Sequence, residues 1–334
     1  MTATKLGPDA FKPVRVAATE KEKIAAPTLT FTQDALRRLR QNKAALLSLW
    51  VLLVIVVLAV VTQWWSPADP NAQNLAYAYL PPKWGQWHIP GFDGRLNGVD
   101  LYAQNRVPKA VYFLLGTDEY GRDLLSRIFV GTRVSLQIGF IATFFDLVIG
   151  VSYGLLSGWL GGRVDLLMQR VIEIISSVPS LVVVILMLLV FRPGMLSIIL
   201  AIAVTGWITM ARLVRAQTLQ LKRLEYVLAA QTLGEPGLAI AWRHLLPNLS
   251  STVIIQTMFT IPTAIFFEAF LSYIGIGIPA PAASLGTLLA NGQQSLQTQP
   301  YLLIFPGIVI VVLMLAFNLL GDGLRDAFDP RTDR

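Results

Sequence analysis

Side chains able to do covalent or metal chemistry are scarce in this sequence. There is no cysteine among the 334 residues and only two histidines, His88 and His244. Thiolate nucleophiles, disulfides and histidine- or cysteine-rich metal sites are therefore excluded, and no metal ligand set is expected. No Gly-x-x-x-x-Gly-Lys-Ser/Thr run is present to cradle a nucleotide, nor a histidine-anchored triad. What remains is polar residues in apolar surroundings. Glu268 lies deep in an apolar stretch, with Asp146 and Glu173 in two others. Each costs at least about 2.5 kcal/mol in a lipid interior unless paired or wetted. Glu268 could line a polar path, binding an amine or a helix gate, or could accept hydrogen bonds between helices. Trp207 and Asn318 are candidates for path lining or for packing.

Two connecting segments carry patterned residues. Within 212–250, residues 224–233 read Leu-Glu-Tyr-Val-Leu-Ala-Ala-Gln-Thr-Leu, good helix formers with apolar side chains at helical spacing. Gly234 is a helix stop, and Glu235-Pro236 suits a second helix start, because proline fits a first turn and an acid favours the dipole. That second helix is expected to reach Leu246-Pro247. The pair predicts a surface helix–turn–helix whose apolar face docks on the protein's own helix ends or in a partner's groove. In 116–123, Gly116 and Gly121 suggest tight turns around Thr117. There Asp118, Glu119, Arg122 and Asp123 can bond one another and fix the segment on the next helix, or can meet an external protein.

The elements that position these residues need lipid as their solvent. The chain is 54% hydrophobic and 14% charged, against about 25% charged in soluble domains, and its mean hydropathy is +0.58. Six apolar stretches, 44–62, 134–159, 171–191, 195–211, 252–276 and 301–320, approach the ~20 residues that span a bilayer. Continuous runs, rather than alternating strands of ~10 residues, predict an all-α integral membrane protein with about six helices. Trp64-Trp65 is an interface anchor, Arg192-Pro193-Gly194 a tight turn, and Pro179 and Pro262 kink their helices. The net charge of +7 gathers beside the spans, which points to anionic lipid and not to nucleic acid. Most Lys and Arg fall in 1–43, 212–250 and the C-terminal tail, and none in 277–300, so both termini are expected in the cytosol. The expected order is a cytosolic tail and basic amphipathic helix (1–43, capped at Thr32), a first span (44–63) and an external lobe (64–130). A five-helix membrane domain (131–320) and a cytosolic tail (321–334) follow. From the residues alone, a stand-alone secondary transporter or channel and a membrane scaffold remain open, although no internal repeat is visible.

A resemblance narrows this. Leu228-Ala229-Ala230, Gly234, and His244-x-Leu246-Pro247 resemble the EAA loop of ATP-binding cassette (ABC) importer permeases. That pattern is Glu-Ala-Ala, three residues, Gly, nine residues, then Ile-x-Leu-Pro. The spacing matches throughout, with Leu228 standing for the Glu and His244 for the Ile. Residues 115–127, Leu-Gly-Thr-Asp-Glu-Tyr-Gly-Arg-Asp-Leu-Leu-Ser-Arg, resemble the external signature before the second span in C-type subunits of peptide permeases. So do Arg243-His244-Leu245-Leu246-Pro247-Asn248 and the C-terminal 317–330. The resemblance covers the chain from about residue 30, and the long first external segment is most similar to the Gram-positive form of oligopeptide permease C subunits.

The resemblance implies a type I ABC importer permease, multi-pass in the bacterial plasma membrane, with no catalytic residues and no cofactor of its own. Its implied partners are a second homologous permease, two ABC ATPases carrying ATP and Mg, and an external peptide-binding (lipo)protein that delivers a peptide substrate. The ATPase-coupling role falls on 225–247, with Glu225, Leu228, Ala229, Ala230, Gly234, Glu235, Pro236, His244, Leu246 and Pro247 as its residues. Related importers for dipeptides, nickel or glutathione share the pattern.

Overall fold

The computed structural model describes residues 31–65, 68–85, 89–96, 98–191 and 194–328; the tails at 1–30 and 329–334, His88 and the 192–193 part of the expected turn lie outside the described residues. The short amphipathic helix α1 (Phe31–Gln41) contains Thr32 within its first turn, not at its cap. The first apolar run forms α2 (Lys43–Val61), started by Asn42, whose side chain accepts from the Ala45 N–H. After the hairpin β1 (Arg95–Leu96) and β2 (Val99–Asp100) and the one-turn α3 (Leu101–Gln104), helix α4 (Leu124–Leu160) runs for 37 residues. It is followed by α5 (Gly162–Ser177), α6 (Ser180–Val190), α7 (Met195–Leu221), α8 (Glu225–Thr232) and α9 (Gly237–Ile240). A π-turn (Ala241–Leu245) leads into α10 (Leu246–Tyr273), then α11 (Leu285–Gln294) and α12 (Tyr301–Phe328).

Five helical runs are long and apolar enough to cross a membrane, or six if α5 and α6 together form one. That pair departs from the straight span expected at 171–191: it bends by 79° at Val178-Pro179. The reason is local. Proline lacks an N–H and forces its predecessor out of the helical region, and Val178 is extended with ψ 128°. The long helices also outrun the apolar stretches. Helix α7 carries Arg212 and Arg215 in its last turns, so the connection to α10 begins at Lys222, not at 212. Helix α11 lies between the fifth and sixth apolar stretches, and its signal is the capping box in which Ser284 and Thr287 bond each other's backbone.

Helices α4 and α7 lie against each other along Gly150, Gly154 and Gly158. A Cβ at Gly150 would come within 2.8 Å of the Trp207 carbonyl, and one at Gly158 within 2.7 Å of Thr218 Cβ, so only glycine allows this approach. A second cluster joins α2, α10, α11 and α12 around Ile265, Leu285 and Leu313, all fully buried. Alternating helix directions put α1, the starts of α2 and α5, and segment 222–245 on one face. The described parts of 68–123, and 274–300, form the other. Buried contacts hold this second face together. Leu80 is buried, and Tyr301 Oη donates to the carbonyls of Leu80 (3.1 Å) and Thr117 (3.0 Å). Burial pushes the Tyr102 phenol up to about 12, and it donates to the Pro81 carbonyl at 3.1 Å.

Candidate functional site

Segment 222–247 is a helix–turn–helix, as the sequence predicts, and its turn is built by Gly234. Beyond α8, the Gly234 N–H donates to Gln231 O (3.0 Å) and the Glu235 N–H to Ala230 O (3.1 Å). These paired bonds define a Schellman motif, which needs a left-handed residue at Gly234, where φ is +80°. Pro236, extended at ψ 138°, precedes the next helix instead of sitting in its first turn. That helix does not stop at Leu246-Pro247 either. The proline ring would clash with the Arg243 carbonyl in a regular helix. The π-turn widens the coil there, with the Leu246 N–H donating five residues back to Ala241 O. From Gly237 to Tyr273 the chain is one helical run.

The segment has two apolar faces. Val227 and Ala230 turn inward and pack with Ile240, Leu245 and Leu249 against Val214 and Leu155, with Leu246 partly buried beside them. Leu224, Leu228, Leu233, Leu238 and Trp242 point outward, Leu233 with 86% of its surface exposed. Ala229, Glu225 and Pro247 are exposed too. His244 Nε2 meets Glu235 Oε2 at 2.9 Å, clamping the turn to the π-turn, and Asn248 Nδ2 donates to His244 O at 2.6 Å. Thus Ala229 and Ala230, adjacent in the motif, do different work: Ala230 packs inside while Ala229 stays at the surface.

The proposed path residues are not brought together. Glu268 is fully buried where α4, α10 and α11 meet, accepting from Ser135 Oγ (2.7 Å) and Ser272 Oγ (2.8 Å), while Ser135 Oγ accepts from the Leu285 N–H (3.2 Å). The bond to Ser135 joins α10 to α4, and the one to Ser272 stays within α10. Trp207 is buried against Tyr153, with ring centroids 4.7 Å apart, and Asn318 is half-buried on α12. The 116–123 cluster bonds within itself. Asp118 accepts from Arg122 Nε (2.7 Å) and from the N–H groups of Tyr120 and Arg122 (3.0 Å each). Asp123 caps α4 by accepting from Ser126 N–H (2.8 Å) and Oγ (2.6 Å), although burial pushes its carboxyl above the usual range. Thr117 Oγ1 donates to Tyr77 O and accepts from the Leu80 N–H (2.8 Å), and both glycines take positive φ, +84° at Gly116 and +70° at Gly121.

Residues 150–334 match the family described as binding-protein-dependent transport system inner membrane components, and residues 30–82 match the N-terminal transmembrane domain of oligopeptide transport permease C. The chain belongs to this permease family. It is similar to a dipeptide transport system permease of Lactococcus lactis (47% identical, 93% of each chain) and an oligopeptide transport system permease of Bacillus subtilis (41%, 96% of each). The oligopeptide permease of Escherichia coli is 38% identical over 93% of this chain and 94% of its own. In fold, it resembles the inward-facing MetNI methionine ABC transporter: TM-score 0.51, 20% identity, 59% of this chain and 94% of that one. As a permease it is a multi-pass membrane component of an ABC importer and not its ATPase. The stand-alone transporter and scaffold alternatives therefore fall away.

Two features of the permease were not singled out from its sequence. One is the anchor beneath the helix–turn–helix. Arg215 binds Asp165 through two bonds of 2.5 Å, Ser157 Oγ donates to the same carboxylate, and Lys222 Nζ donates to Trp159 O while lying 5.2 Å from its ring centroid. Opposite charges 50 residues apart leave no local pattern. A local signal does exist for the α4–α7 approach, in the Gly150-x-x-x-Gly154-x-x-x-Gly158 repeat. The other feature is a groove of about 470 Å³ between the α5–α6 break, α7 and α10, with Asp146 of α4 at its floor.

Proposed function

We propose that this permease is the translocation subunit of a peptide importer, paired with a second homologous permease. Two ATPases holding ATP and Mg dock at 225–247, and an external binding protein delivers the peptide. The observation that carries the docking site is the doubled face of the helix–turn–helix. Val227 and Ala230 anchor it to the permease's own helices, while Leu224 and Leu228, four residues apart as in a helix-in-groove contact, and Leu233 at the end of α8 are left outside. ATP-driven closure of the ATPases favours one position of the docked segment, and the membrane helices share that bias, because a ligand shifts an equilibrium by its differential affinity for two states. Both termini and 222–247 are then cytosolic, and 68–123 with 277–300 external. The Lys and Arg distribution supports this, since 277–300 carries neither. The relatives carry both oligopeptide and dipeptide names, and the substrate class proposed is therefore short peptides.

The test is to co-express the chain with its partner subunits, purify the assembly, and measure peptide-stimulated ATP hydrolysis for wild type and Leu233→Glu. Leu233 is 86% exposed, so the charge leaves the permease's own packing intact. Loss of ATPase co-purification, or of stimulation, with an unchanged elution profile is expected. A Leu233→Glu complex that retains full stimulation sinks this docking site.

A further inference from the structure

The groove beside the α5–α6 break has an unusual charge content. Among its lining residues only Asp146 and Arg212 are ionisable, and between and around them stand Ser176, Thr209, Gln256 and Thr260. Asp146 is buried, and its Oδ1 has no hydrogen-bond partner among the described residues. Its carboxylate lies against Gly206, where a Cβ would come within 2.7 Å of Asp146 Cγ, so the helix backbone gives way to the acid. A bare carboxylate inside a membrane helix is costly, which makes it a functional feature unless a countercharge meets it. No Lys, Arg or His lines its end of the groove. Arg212 stands at the other end, exposed, with Nη2 donating to Ser176 Oγ at 3.0 Å.

We infer that this groove is a peptide-binding site of the permease itself, in which Asp146 receives the free α-amine and Arg212 the α-carboxylate of a short zwitterionic peptide. Gly206, which contacts Asp146, and Arg212 are six residues apart on one helix, about 9 Å along its axis. An extended chain covers about 3.3–3.6 Å per residue, so a di- or tripeptide fits between the two charges. The groove's volume of about 470 Å³ falls in the usual range for small-ligand sites, about 300–1,000 Å³. The hydroxyls of Thr209 and Thr260 and the amide of Gln256 offer side-chain-independent partners for peptide groups. The inference rests on the peptide-importer reading and adds a ligand site within this chain.

The experiment uses the purified permease–ATPase assembly without its external binding protein and measures equilibrium binding of radiolabelled trialanine, N-acetyl-trialanine and trialanine amide. Wild type is expected to bind trialanine saturably and the acetylated form at least about tenfold more weakly, the discrimination expected of one lost charge pair. Asp146→Asn should erase that preference, Asp146→Glu should keep it, and Arg212→Gln should erase the preference for the free carboxylate over the amide. A second measurement needs no variant. Trialanine, but not N-acetyl-trialanine, should protect Asp146 of the wild type from an apolar carbodiimide, read by mass spectrometry. Equal binding of free and acetylated peptide, no saturable binding, or protection indifferent to the amine overturns the inference. If that happens while the complete importer still takes up peptide, only the groove site fails. Absence of peptide uptake by the complete importer overturns the importer reading.

Discussion

At Gly234 the backbone, and not the surrounding space, sets the requirement: φ is +80°, and nothing lies within 4 Å of where a Cβ would stand. Gly234→Ala is expected to cost about 1 kcal/mol, the strain of a left-handed alanine, and Gly234→Asn less, as a lowered melting temperature of the purified complex would show. The motif's fixed glycine thus follows from the two hydrogen bonds of a Schellman turn. Glu268 obeys a different rule. Its oxygens accept from two hydroxyls at 2.7 and 2.8 Å, so Glu268→Ala leaves Ser135 and Ser272 without their acceptor and opens a void. A loss of about 2–4 kcal/mol is expected, seen as reduced folded yield. Uptake per folded molecule should persist, and a selective loss of uptake in a well-folded variant would return Glu268 to the path.

Among the elements, helix existence was legible wherever apolar runs were long, while helix ends were not. Polar turns such as Arg212–Leu221 extend α7 beyond its apolar run, because Arg215 bonds Asp165 and Thr218 fits against Gly158. Hydropathy has no access to such pairings. Pro179 and Pro247 show the same limit from the other side. Each is a helix breaker by its chemistry, yet one yields a 79° bend and the other a π-turn inside a continuous run. Tertiary packing decides between the two outcomes. The helix stop at Gly234 and the helix–turn–helix at 222–247 were legible because local backbone chemistry builds them. The groove was hidden because its residues come from five helices. Two outcomes follow at this scale. Gly158→Val should force α4 from Thr218 on α7 and lower folded yield sharply, since overpacking costs typically 1–3 kcal/mol. Arg215→Gln should cost about 2 kcal/mol by removing charged hydrogen bonds, measured by thermal unfolding in detergent.

For the molecule as a whole, the absence of cysteine allows a direct test of the proposed orientation. Single cysteines at Leu233 and at Gln294, both exposed, should react with a membrane-impermeant maleimide from opposite sides of a right-side-out vesicle. Gln294→Cys should label in intact vesicles and Leu233→Cys only after lysis, and the reverse pattern would invert the topology. The lobe at 68–123 should protect Tyr301 at the head of α12 in either case, since both its hydrogen bonds go to that segment. The continuous helix from Gly237 to Tyr273 adds a mechanical consequence. Its 37 residues make a rod about 55 Å long, against a hydrocarbon layer of about 30 Å. The π-turn sits near one end, directly beside the exposed leucines. The arm beyond it, Leu246–Tyr273, is about 42 Å long, so a rotation of about 5° there would carry the far tip through about 4 Å. On the proposed topology this run would act as a gear, a small angular displacement at the docking segment becoming a longer stroke at the opposite face.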